Sequence, residues 1–241
     1  MNCAVFSGCI NRCKYPQNIN AAMFLLRRMG FSLKLARNEI CCGMPAYLSG
    51  DKKSADRFIY QLYDMLSSHG LPDLLVTLCP CCRKMFREFE RFVTVKAIME
   101  ILVENAELIS KMGMDIGQMS VVIHLDPSLD VAGIDDSRIH KLFENSDVNI
   151  LKVIHGISGA TGNLPILYPP VSEIFLQDIL KYAKNADLLL TTDPHTQYYL
   201  NEYIMDRKID IRIHDLTFFL ASCMDRFRRS YMRIQREEHE R

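Results

Sequence analysis

Apolar residues fall in short runs along the chain, each ending in a loop and followed by a stretch whose apolar positions recur at helical spacing. This alternation predicts strands interleaved with amphipathic helices. Val5-Phe6 closes a strand just before Gly8-Cys9. A helix from about Asn18 to Met29 stops at Gly30, and Phe31 to Ala36 forms the next strand. Asp51 or Ser54 opens a longer helix that Gly70 closes. The run Asp73-Leu74-Leu75-Val76-Thr77-Leu78 has the character of a buried strand, with Cys79 at its carboxyl end and another helix starting near Arg83.

The series then recurs. Strand Ser120 to His124 runs into Asp126-Pro127-Ser128, a helix covers about Ser137 to Asn145, and a strand follows from Asn149 to Ile154. The loop Ser158 to Gly162 precedes a helix from Val171 to Lys184. The strand Asp187 to Thr192 then ends in Asp193-Pro194-His195-Thr196. Asp73-Leu-Leu-Val-Thr-Leu-Cys-Pro and Asp187-Leu-Leu-Leu-Thr-Thr-Asp-Pro are one phrase written twice, and the interval from Cys9 to Cys41 equals that from Ser128 to Ala160. The expected fold is α/β: two pseudo-repeated Rossmann-like βαβ units, each with a small parallel sheet, packed as a pseudo-two-fold pair. The expected divisions are 1–112, 113–223 and a charged C-terminal helix or tail, 224–241.

Cysteine placement adds chemistry to this frame. Five of the nine cysteines form the pattern C-x31-C-C-G-x35-C-x2-C: Cys9, Cys41-Cys42-Gly43, Cys79 and Cys82. Tight thiolate pairs separated by helix-sized gaps bring soft ligands from several loops to one centre, which suits an iron–sulfur cluster. Zinc shares the thiolate preference and stays open as the alternative. A disulfide framework does not suit a 241-residue chain. In the second copy the corresponding positions are expected to be Ser128, Ala160, Thr161, Asp193 and Thr196, none a thiolate, so one metal site per chain is expected. Lys plus Arg and Asp plus Glu are 29 each, which gives no drive towards nucleic acid or acidic lipid. No run approaches the roughly 20 apolar residues of a membrane span, and no secretory leader is evident. With so many unpaired cysteines, a cytoplasmic location is expected.

Gly8-Cys9, Tyr15-Pro16, Cys41-Cys42-Gly43-Met44-Pro45, Gly50-Asp51 and Cys79-x-x-Cys82 together resemble the cysteine-rich CCG-domain family, which includes the B-type subunit of heterodisulfide reductase. His124-Leu125-Asp126-Pro127 is similar to the start of that family's second repeat. The resemblance implies a non-cubane [4Fe-4S] cluster, one per chain, held by Cys9, Cys41, Cys42, Cys79 and Cys82. It also implies a subunit of an iron–sulfur oxidoreductase acting on a disulfide or other sulfur substrate, with a non-catalytic electron relay or scaffold subunit of such a complex, or a zinc-stabilised interaction module, as the alternative. Its partners would be an iron–sulfur electron-transfer protein, similar to the C-type subunit of heterodisulfide reductase, and a flavin subunit. The family's B-type subunit holds two clusters, and a chain with one departs from that pattern.

Several further residues carry expectations. Arg12, Lys14, Arg83 and Lys84 adjoin the ligands in sequence and would offset thiolate charge or lie on a solvated surface. Cys3 and Cys223 suit the core, while Cys13 and Cys81 are either packing residues or additional redox thiols. His124, His155, His195 and His214 fall near strand ends of the second copy. With Asp193 they define a candidate substrate pocket or mononuclear metal site. In the tail, Phe227, Tyr231 and Ile234 share one helical face.

Overall fold

A computed structural model describes residues 2–36, 39–68, 70–127, 129, 133–224, 227–229 and 231. Two four-stranded sheets organise it. The first contains β1 (Asn2–Phe6), β2 (Ser32–Leu35), β3 (Leu74–Thr77) and β4 (Thr94–Ala97), in the order β2-β1-β3-β4. The second contains β5 (Met119–Leu125), β6 (Val148–His155), β7 (Leu188–Thr191) and β8 (Ile213–Asp215), in the order β6-β5-β7-β8. Every pairing is parallel. The duplication expected from the repeated phrase is therefore a duplication of topology.

Parallel strands need crossovers, and helices supply most of them. In the first half these are α1 (Cys9–Lys14), α2 (Pro16–Arg28), α3 (Met44–Leu48), α4 (Lys52–Ser67) and α5 (Pro80–Met85), before β4. Next come α6 (Ile98–Glu104) and α7 (Ala106–Ser110). The second half has α8 (Asp136–Leu142), α9 (Leu164–Leu167), α10 (Pro169–Ala183), α11 (Pro194–Arg207) and α12 (Leu216–Ser222). Helices cover both faces of β3 and β7, and all four residues of each strand are buried. That burial is why these strands are uninterrupted apolar runs rather than alternating ones. Strands β4 and β8 were not legible in the sequence. They are short and lie at sheet edges.

Matched contacts fix the correspondence between the halves. The Asn2 amide donates to Asp73 Oδ2 at 2.7 Å, and the Ser120 amide donates to Asp187 Oδ2 at 2.7 Å. Leu78 N donates to Phe6 O, and Thr192 N to His124 O. A Cβ on Gly43 would meet Phe58 Cβ and the Ala55 backbone. One on Gly159 would meet Phe175 Cβ and the Ser172 backbone. Gly43 and Gly159 are thus equivalent, which places Ser158 where Cys42 stands and Ile157 where Cys41 stands. This corrects the expected pairing with Ala160 and Thr161. The stretch from Val153 to Ser158 is two residues shorter than that from Leu35 to Cys42, and equal sequence intervals could not register the difference. Continuing the β1/β5 register brings Pro127 to the place of Cys9, and Ser128 lies outside the described residues.

One hydrophobic core runs through both halves. It includes Leu25, Leu102, Ile123, Ile139, Leu190 and Leu220. Polar contacts tie the halves together as well: Asn18 Nδ2 donates to Gln197 Oε1 at 3.0 Å, and Asn201 Nδ2 to the Tyr15 hydroxyl at 3.2 Å. Phe227 stacks on Tyr231 and packs beside Phe24. Two of the three apolar tail residues therefore join the core, and Ile234 lies outside the described residues. Among the described residues, no helix is long and apolar enough to cross a membrane.

Candidate metal centre

In an open parallel sheet, ligands collect beyond the carboxyl ends of strands where the strand order reverses. Here the reversal lies between β1 and β3, and Cys9 and Cys79 follow those two strands. The loop after β2 brings Cys41 and Cys42 to the same edge, and the first turn of α5 adds Cys81 and Cys82.

The thiols lie close enough to shift one another's ionisation: Cys9 with Cys41, Cys41 with Cys42, Cys42 with Cys82, and Cys82 with Cys79. The five thiols singled out by the motif are thus brought to one place, with Cys42, Cys79 and Cys82 buried and Cys9 exposed at the mouth. Crowded thiols cannot all ionise together. Cys41 is driven far down by its contacts with Cys42 and Cys9, while Cys42 is pushed up to about 12, chiefly by Cys41. Cys79 is held well below the usual thiol range by Cys81 and Cys82, and Cys82 is raised by Cys42 and Cys79. Such a packed thiolate array calls for cationic metal to neutralise it.

Backbone and surrounding groups support the array. Gly8 has φ +80°, and a Cβ there would lie 3.4 Å from Cys79 Cβ and 3.5 Å from Cys82 Sγ. Only glycine combines that conformation with so close an approach. Gly43, at φ +86°, donates its amide to Cys41 Sγ at 3.4 Å. Glu39, not singled out in the sequence, is buried and organises the Cys9 loop. Its carboxylate accepts from Ser7 N at 2.8 Å, Ser7 Oγ at 2.7 Å and Gly8 N at 3.1 Å. Burial raises its pKa, while the donors from Ser7 and Gly8 pull the other way. Thr77 Oγ1 is buried without a hydrogen-bond partner, whereas its counterpart Thr191 lies against His124 and accepts from the Asp193 amide. Soft donors, a glycine cradle and an orphaned hydroxyl two residues before Cys79 fit a bound metal–sulfur group.

The second half places a hydrogen-bonded plug where the first places sulfur. Ser158, Thr196 and Asp193 stand at the positions of Cys42, Cys82 and Cys79. Thr196 Oγ1 donates to Asp193 Oδ2 at 2.9 Å and lies 2.7 Å from Ser158 Oγ. All three residues are fully buried. Asp193 also caps α11 by accepting from Thr196 N at 2.9 Å.

The histidines do not converge as expected. His124 is a core residue, its Nε2 2.9 Å from Gly156 O. His155 is exposed and paired with Asp136, and His214 packs beside Phe218. Successive strand residues face opposite sides of a sheet, so proximity to strand ends did not bring these rings together. His195 alone turns towards the sulfur array. Its Nδ1 lies 3.8 Å from Cys79 Sγ and 3.2 Å from Asp193 Oδ1. Burial opposes the imidazolium, but Asp193 and Cys79 outweigh it and raise the pKa of His195.

The remaining candidates are distributed around this centre. Arg83 is committed to Glu90 and Glu100, at 2.7 and 2.9 Å, and Arg12 donates to the Glu39 carbonyl. Lys14 and Lys84 lie over Tyr198 and Tyr47. Cys3 and Cys223 are buried in the core, whereas Cys13 is exposed and so is not a packing residue. Cys81 is buried against Cys79.

Residues 3–87 match the family described as "Cysteine-rich domain", abbreviated CCG. That stretch is similar to the family and contains the five motif cysteines. Two archaeal relatives align over most of the chain. They are uncharacterized iron–sulfur proteins of Methanococcus maripaludis (24% identical, 84% of this chain, 41% of the relative) and Methanocaldococcus jannaschii (23% identical, 86% and 44%). The chain therefore spans less than half the length of these two relatives. Lactate utilization protein A of Halalkalibacterium halodurans is 22% identical, with 80% of this chain and 85% of that protein aligned.

Proposed function

We propose that this chain is a redox subunit similar to the B-type subunit of heterodisulfide reductase. It would bind one non-cubane [4Fe-4S] cluster through Cys9, Cys41, Cys42, Cys79 and Cys82. The observation that carries this reading is the contrast between the halves. Five thiols meet at the switch point of the first sheet, while Ser158, Thr196 and Asp193 close the equivalent place in the second. The resemblance of residues 3–87 to the CCG family and the iron–sulfur relatives support the cofactor class.

When bound, such a cluster supplies one-electron transfer beside a sulfur-containing substrate. The chain's own residues hold and shield that centre. Glu39 fixes the Cys9 loop, Gly8 permits close approach, and α11 of the second half walls one side through His195. The exposed Cys9 marks the open side, where a disulfide substrate would arrive. Electrons would come from or pass to an iron–sulfur protein resembling the C-type subunit of heterodisulfide reductase, and onward to a flavin subunit, in the cytoplasm. The similarity to lactate utilization protein A favours a second reading, an electron-transfer subunit of a complex that oxidises a small hydroxy acid.

Anaerobic purification with iron and sulfide analysis and electron paramagnetic resonance tests the proposal. About four irons per chain are expected for one such cluster. About eight, or colourless protein containing only zinc, would refute it. Adding a disulfide or a hydroxy acid to the reduced protein and following the resonance separates the two substrate readings.

A further inference from the structure

We infer that Cys79, Cys81, Asp193 and His195 form a second metal site, for a single divalent ion of zinc's class, where the two halves meet. The four donor atoms all lie within 4.8 Å of one another, and three of the four residues are buried. The site goes beyond the cluster proposal and shares one thiolate, Cys79, with it.

The pseudo-symmetry builds the site. Cys79 and Asp193 are the equivalent N-cap residues of α5 and α11, and Cys81 and His195 are equivalent second helical residues. Each half contributes the same pair of positions, one with two sulfurs and the other with an oxygen and a nitrogen. A set of two sulfurs, one imidazole nitrogen and one carboxylate oxygen is suited to zinc and to ferrous iron.

The two separations that involve His195 suit a shared ion. His195 Nδ1 faces two acceptors, Asp193 Oδ1 at 3.2 Å and Cys79 Sγ at 3.8 Å, and a single N–H cannot point at both. Tetrahedral zinc, with bonds of about 2.0–2.3 Å, separates its donor atoms by about 3.3–3.8 Å. Asp193 is already oriented for one-oxygen ligation, since Oδ2 accepts from Thr196 N and Thr196 Oγ1 and Oδ1 remains towards the site. Such fixing of a ligating carboxylate is characteristic of metal sites. The His195 side chain is 19% exposed, which leaves an entry path. Four protein donors leave no open position, so the ion would act as a clamp between the halves rather than as a catalyst.

The test measures zinc, iron and acid-labile sulfide in anaerobically purified full-length protein, followed by titration with zinc ion against a chromophoric chelator. The wild type is expected to retain about one zinc per chain. His195→Ala and Asp193→Asn should each weaken zinc binding by at least about tenfold with sulfide content unchanged. Asp193→Asn keeps a helix-capping oxygen, so its loss of zinc would not reflect misfolding. Wild-type protein that takes up no zinc, or a His195→Ala variant that binds it equally well, would overturn the inference. Zinc that sulfide-free protein retains and His195→Ala releases would uphold this site while refuting the cluster.

Discussion

Ser158 Oγ and Thr196 Oγ1 lie 2.7 Å apart, at the positions that Cys42 and Cys82 occupy in the other half. Where the first half has two thiols, the second has two hydroxyls that satisfy each other and the Asp193 cap. Hydrogen bonds therefore close this place in the second half. Removing one hydroxyl leaves the other buried and short of a partner. Ser158→Ala or Thr196→Val should each cost about 1–3 kcal/mol. The double variant should cost less than the two singles combined. Urea unfolding of all four proteins measures this, and strict additivity would contradict the coupling.

Glu39 gives a second prediction. Its carboxylate collects three donors from Ser7 and Gly8, the residues that lead into Cys9. Glu39→Ala would strand those buried donors and release the loop. A loss of about 1.5–3 kcal/mol is expected, the range for hydrogen bonds to a charged group. Metal content should fall with it, because Cys9 loses its anchor. Retention of full iron content by this variant would show that the loop is held by other means.

How much of this was legible in the sequence follows from what encodes each feature. The repeated phrase around Asp73 and Asp187 announced the duplication, because the aspartate side chains make the same backbone contact in both halves. The gathering of the five motif cysteines was legible because paired thiols at loop-sized intervals suit one shared centre. Glu39 was not, since a lone acidic residue in a loop carries no mark of burial. Nor was the register of Ser158, since a shortened loop leaves no trace until Gly43 and Gly159 are compared in three dimensions. His195 was one of four candidate histidines, and only the packing of α11 against α1 separates it from the others.

Gly159 permits a test of that register. With φ +74°, an added Cβ would lie 2.9 Å from both Phe175 Cβ and the Ser172 carbonyl oxygen. Gly113 has a similar φ of +77° and nothing within 4 Å. Gly113→Ala should therefore cost only the left-handed strain, about 1–2 kcal/mol. Gly159→Ala adds an overpacking penalty of about 1–3 kcal/mol. Thermal or urea unfolding of the two variants compares them directly, and equal losses would show that the loop yields freely.

Asp215 sets a pH dependence of stability. The residue is buried at the start of α12, where its carboxylate accepts from Phe218 N at 3.0 Å. Burial pushes its pKa up from 3.8 to about 6, against the opposing pull of Phe218 N and Thr217. The folded protein thus holds this proton to higher pH than the unfolded chain does. The resulting stability is complete below pH about 4 and is lost as the pH rises through about 6. A shift of that size corresponds to about 3 kcal/mol. Asparagine caps helices well and does not titrate, so Asp215→Asn should remove this slope while leaving α12 in place. Urea midpoints for the wild type and the variant between pH 4 and 7 provide the measurement. The wild type should lose stability relative to the variant across that window, and parallel curves would place the Asp215 titration elsewhere.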